Sequence, residues 1–214
     1  RFKNLKKIQN VFLNCFFDSQ NTLVLFEQIT SEKNIDFTRY NYFYASYLVS
    51  SGNIKEAKKV VKRALKKRPR NLLLNQYKID LDKKIKKSIF NCKKQEHVVA
   101  EILYIIANLL SSQSIYPLSN FYLNLAKHLN KDFHSFDTLL AENFYKIGNL
   151  EKAKKIYKSL SNKGEAYKWH STKQIAKIFI YEEDKDQAIK LLSKAYKNLL
   201  NKEIYETFDF AEFL

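Results

Sequence analysis

Glycine and proline are scarce, three and two residues in a chain of 214. Hairpins and glycine-rich phosphate loops depend on that turn chemistry, whereas long helices need very little of it. With Gly52, Gly148 and Gly164 the only glycines, neither GxGxxG nor GxxxxGK[ST] can be formed, and no GxSxG elbow occurs. The four histidines, His97, His128, His134 and His170, make no HxxxH or HExxH pattern. Cys15 and Cys92 stand far apart with no Cys or His partner at zinc-ligand spacing, so they are expected to be packing residues, with neither a metal site nor a dense disulfide framework signalled. No metal and no cofactor are expected. Long apolar runs are missing as well: Val98 to Leu110 is interrupted by Glu101 and Asn108 and falls short of the roughly 18–20 residues of a bilayer span. The first residue is Arg1, and no charged stretch followed by an apolar run opens the chain. A targeting segment would therefore lie upstream, and the compartment stays open between cytoplasm and periplasm.

What is present is a composition suited to packed helices: 45% hydrophobic, 28% charged and 14% aromatic residues. Disorder is excluded and an all-α fold is expected. The 38 basic and 22 acidic residues leave a net charge of +16, which repels itself and attracts polyanions. Only five of the basic residues are Arg, the side chain whose planar fork reads phosphates and guanine edges. Lys, Asn, Ile, Phe and Tyr are all abundant and share A/T-rich codons, so part of the charge is compositional.

A repeat organises the chain. Residues 42–69 and 137–160 align so that a small residue is followed by Gly-Asn, then Ala, then an apolar position: Ala45, Gly52, Asn53, Ala57 and Val61, matched by Ala141, Gly148, Asn149, Ala153 and Tyr157. The frame recurs as Ala107, Ser119, Leu123 and Ala126, and as Ala176, Ala188, Leu192 and Ala195. From Ala107 through Ala141 and Ala176 to Ala211 the intervals are 34, 35 and 35 residues. Small residues let two helices approach closely, and Gly-Asn both ends one helix and starts the next. Each unit is an expected αα-hairpin.

This spacing resembles the tetratricopeptide repeat, in a divergent form of bacterial type. Trp is absent from position 4, where Asn41, Leu103, Asp137 and Thr172 stand instead. The resemblance implies a right-handed α-solenoid of antiparallel hairpins. Its expected parts are a degenerate helical pair at 1–35, a clear repeat at 38–71, and a degenerate repeat at 72–99 with an irregular joint at 85–97. Repeats at 100–133, 134–168 and 169–203 follow, then the first helix of a truncated repeat at 204–214, where Ala211 and Leu214 take positions 8 and 11. The parent protein is expected to be longer.

The resemblance also implies a concave groove lined by first helices. In the first clear repeat it selects Tyr42, Phe43, Ser46 and Val49. In the later ones it selects Tyr104, Asn108 and Ser111, then Glu142 and Tyr145, and finally His170, Lys173 and Lys177. Its early part is aromatic, suiting an apolar anchor of a bound peptide or helix, and its late lysines would attract carboxylates. Trp169 is expected to wedge against the preceding hairpin. The function expected is non-catalytic protein–protein interaction as a scaffold or adaptor. The alternative is an anion-binding module in which Lys55, Lys59, Lys62 and Lys66, on one exposed helix face, engage nucleic acid or an acidic membrane surface. The acidic residues Glu182, Glu183, Asp184 and Asp186 are expected to be solvated turn and helix-start charges rather than an acid–base pair.

Overall fold

The computed structural model describes residues 2–32, 36–85, 89–199 and 204–213. They form twelve helices and no strand: α1 (Phe2–Phe16), α2 (Thr22–Ser31), α3 (Tyr40–Ser50), α4 (Ile54–Lys67), α5 (Leu72–Asp82), α6 (Gln95–Ser112), α7 (Tyr116–Leu129), α8 (Ser135–Lys146), α9 (Leu150–Leu160), α10 (Glu165–Tyr181), α11 (Lys185–Lys197) and α12 (Ile204–Ala211). The expected all-α class of paired helices is what the chain forms. Leu214, expected at position 11 of the last repeat, lies outside the described residues, as do 33–35, 86–88 and 200–203 of the expected boundaries. The chain divides into two compact units, the first comprising Arg1–Ile106 and Asn124–Phe133, the second Ala107–Leu123 and His134–Leu214.

The hairpins are built where the small residues are. Ala45, Ala107, Ala141 and Ala176 on first helices, and Ala57, Ser119, Ala153 and Ala188 on second helices, are all fully buried. A methyl group or hydroxymethyl at each crossing lets the backbones close up. Ala211 is exposed, because among the described residues no second helix packs over α12.

One turn design ends the first helices. The amide three residues past the helix closes a six-residue turn, as Asn53 N to Leu48 O and Asn149 N to Phe144 O, and the residue just before it is left-handed, Gly52 at φ 81° and Gly148 at φ 82°. This is the Schellman closure. The sequence marks only these two with glycine, yet the same turn closes α1, α5, α6 and α10 with Asp18, Lys84, Ser114 and Glu183 at φ 56–64°. The next helix is then capped by a side chain: Asn53, Asn149 and Asp184 accept from the backbone amides of Glu56, Lys152 and Gln187. Asp184 thus caps α11, and Glu182 accepts Lys154 at 3.0 Å.

In the first unit, α3 is buried along Tyr40 to Ser46. α5 follows α4, and the chain then runs irregularly through 89–94 before α6 begins. Phe90 folds back into a ring cluster with Phe12, Phe43 and Phe133, its centroid 4.5 Å from that of Phe43. Cys15 and Cys92 are bonded as a disulfide, their Cα atoms 5.9 Å apart. That corrects the expectation of two separate packing cysteines: nothing in their spacing signals the pair, because only the return of 89–94 to α1 brings them together. In the second unit the hairpin of α10 and α11 encloses Trp169, Ala176, Ala188 and Leu192.

Candidate functional site

The first unit closes the face that the repeat pattern points to. Tyr42 and Phe43 are each 1% exposed and Ser46 is buried. Tyr77 of α5 stands 4.8 Å from Tyr42, ring to ring, and Phe90 and Phe133 cover Phe43. The expectation that these three residues line an open groove is therefore corrected. The chain's own α5 and its irregular segment occupy that side of α3, filling the space a partner would need.

Tyr104 is half-buried and engaged. The Arg39 guanidinium lies 4.0 Å from its ring centroid and 4.9 Å from that of Phe133, while Nε and Nη2 each donate at 2.7 Å to the two carboxylate oxygens of Glu101. Glu101 is fully buried. Burial pushes its carboxyl up while Arg39 opposes. For Arg39, burial works downward, and the facing carboxylate together with Tyr104 and Tyr40 more than reverses it. A bidentate fork inside a ring of aromatics is a structural lock between the start of α3 and α6. The signal that could have found it is Glu101 itself, the one charge in the apolar run Val98 to Leu110.

The second unit leaves more of its first-helix face uncovered. Ser111 is held, its hydroxyl bonding Asn143 Oδ1 at 2.6 Å, and Asn143 Nδ2 donates at 2.8 Å to both Ser119 Oγ and Asn120 Oδ1. Asn143 is fully buried, so this network is internal. Asn108, Glu142 and Lys177 are exposed, and Tyr145 is half-buried. Tyr145 meets Tyr181 edge to face at 6.4 Å, which places the C-terminal turns of α8 and α10 side by side. Tyr181 is 68% exposed and Ile180 38%. Lys177, Ile180 and Tyr181 share one face of α10 by their spacing of three and four. Ile180 and Tyr181 were missed in the sequence because helix ends are the least certain part of a periodic pattern.

Lys173 differs from expectation. It is ion-paired with Asp209 of α12, whose carboxylate also accepts Trp169 Nε1 at 3.4 Å. Lys173 thus already holds a carboxylate, and only Lys177 of the expected pair is exposed. Trp169 is buried, but inside its own hairpin against Tyr196 of α11 and beside Asp209 of α12, rather than as a wedge against the preceding hairpin. The anchor is Asp209, whose buried carboxylate needs both donors. His170 packs on Tyr157, ring to ring at 6.1 Å. Burial lowers its pKa to about 4, with Lys173 and Lys177 adding to the shift and Asp209 opposing it.

No family profile and no curated protein matches the chain. The solved structures similar to it include tetratricopeptide repeat proteins. A thermophilic protein of this kind from Thermus thermophilus is 14% identical over 98% of both chains with a TM-score of 0.43, and MamA of MSR-1 is 11% identical over 92% of this chain and 97% of that one with a TM-score of 0.38.

On α4, Lys55, Lys59, Lys62 and Lys66 are exposed as expected of a solvated face. Lys59 is paired with Glu56 at 2.9 Å, and the neighbouring Lys58 with Asp82 at 2.8 Å. Among the described residues no three His, Cys, Asp or Glu side chains converge to hold a metal ion, and no helix is long and apolar enough to cross a membrane.

Proposed function

We propose that the protein is a non-catalytic interaction scaffold, and that it takes its partner on the first-helix face of α8 and α10. The observation that carries the reading is the exposure of Tyr181 beside Tyr145, with Lys177 one turn earlier on the same face of α10. Exposed aromatics backed by rigid helices are the usual anchors of a bound segment. Lys146 and Lys177, both exposed, favour carboxylates beside the anchor, so the partner is a peptide or helix carrying apolar and acidic side chains. Asn108 and Glu142 supply polar groups on first helices of the same unit. Two titratable groups of this unit are already engaged within it: Asp209 is committed to Lys173 and Trp169, and His170 is packed on Tyr157.

Panning a displayed random-peptide library against the protein tests this. Enrichment of sequences with an aromatic or aliphatic residue next to Asp or Glu is expected, with binding reduced tenfold or more by Tyr181→Ala and by Lys177→Glu. Enriched peptides that bind both variants as tightly as the parent protein would refute the site.

A further inference from the structure

α5 lacks a second helix among the described residues. α4, α9 and α11 accompany α3, α8 and α10, but after α5 the chain reaches α6 through the irregular segment 89–94. That segment is fastened by a few groups. Phe90 enters the ring cluster, Asn130 Nδ2 donates to Ile89 O at 3.0 Å, the Asn91 amide donates to His97 Nδ1 at 3.0 Å, and Lys93 pairs with Asp18 at 2.9 Å. The covalent fastener is Cys92 to Cys15. These are the chain's only cysteines, and the bond joins positions 77 apart. Cys15 is fully buried and Cys92 is 8% exposed, so an external thiolate cannot reach either sulfur unless the segment opens. Burial marks the bond as structural; a regulatory disulfide must be accessible.

We infer that Cys15–Cys92 is a permanent crosslink that substitutes for the missing second helix, and that it is made in an oxidising compartment outside the reducing cytoplasm. The oxidant is a disulfide-bearing exchange partner, protein or small molecule. The thiolate of one cysteine attacks that disulfide and releases one of its sulfurs as thiolate. The thiolate of the other cysteine then displaces the second sulfur, closing Cys15–Cys92. Two electrons pass to the oxidant, and the two protons lost by the cysteines leave it as a dithiol. The inference stands on the first unit alone, so it survives or fails independently of the partner surface on the second.

The test is thiol counting on the protein recovered from the cells that make it. Denaturation in excess N-ethylmaleimide without reductant, then reduction and labelling with a heavier maleimide, should give no first-label adduct and two second-label adducts by intact mass. Two first-label adducts would overturn the assignment. For the structural role, reduction of the purified chain by a phosphine should raise amide exchange across 89–94 at least tenfold and leave α8 and α9 unchanged, with the Cys15→Ser/Cys92→Ser variant matching the reduced protein. Equal exchange before and after reduction would show that the bond holds nothing.

Discussion

Glu183 and Gly52 sit at the same step of the same turn, yet only one of them suits it. Glu183 holds φ 64° at the end of α10, a conformation that crowds its Cβ. Glu183→Gly should therefore raise stability by about 0.5–1 kcal/mol in urea unfolding, glycine's greater chain entropy offsetting part of the relief. Gly52→Ala should cost about 1 kcal/mol through the backbone alone, since an added Cβ there meets nothing within 4 Å. Arg39 and Glu101 are coupled more tightly. Glu101→Ala strands a buried guanidinium and should cost about 3–5 kcal/mol, whereas Arg39→Met combined with Glu101→Leu should recover most of that loss. A double-mutant cycle measures the difference. His170 sets a pH response. Its folded pKa of about 4 lies below that of the unfolded chain, so the unfolded state takes up the proton first and stability falls as pH drops from about 6.5 to 4. On the order of 2–3 kcal/mol should be lost in that window. His170→Gln should remove this part of the acid sensitivity, as read from urea midpoints against pH.

Among elements, the hairpin crossing is the repeated unit of stability. Ala141 is fully buried at the meeting of α8 and α9, and Ala211 holds the equivalent repeat position on α12 but is exposed. Ala141→Leu should destabilise by about 2 kcal/mol or more through overpacking, while Ala211→Leu should stay within about 0.5 kcal/mol. Thermal unfolding of the two variants side by side distinguishes them. This layer of the fold was legible because a small residue at a fixed interval has a local cause: two backbones must touch there. The pairs that depend on chain return were not legible. Cys15 meets Cys92, and Phe90 meets Phe43, only because 89–94 doubles back over α3, and that segment has no period from which its path could be read. Ser119 shows an intermediate case. It holds an alanine position by size, but its hydroxyl, 2.8 Å from Ala107 O and linked to Asn143, belongs to a buried network that size alone does not announce.

At the scale of the molecule, the two units use similar helix pairs to different ends. The first commits its first-helix face to its own interior, with Tyr42, Phe43 and Ser46 covered by α5 and by Phe90. The second keeps Tyr181, Ile180 and Lys177 in solvent. On the proposed reading the charge of +16 would give an acidic partner a general attraction, screened beyond about 8–10 Å at physiological salt, and exposed Tyr181 would supply the local contact. Nitration of the native protein with tetranitromethane, mapped by peptide mass spectrometry, compares the two faces directly. Tyr181 should be modified early and Tyr42 should remain unmodified until the protein is unfolded. Modification of Tyr42 at the same rate as Tyr181 would contradict the account, because the first-unit face would then be as open as the second.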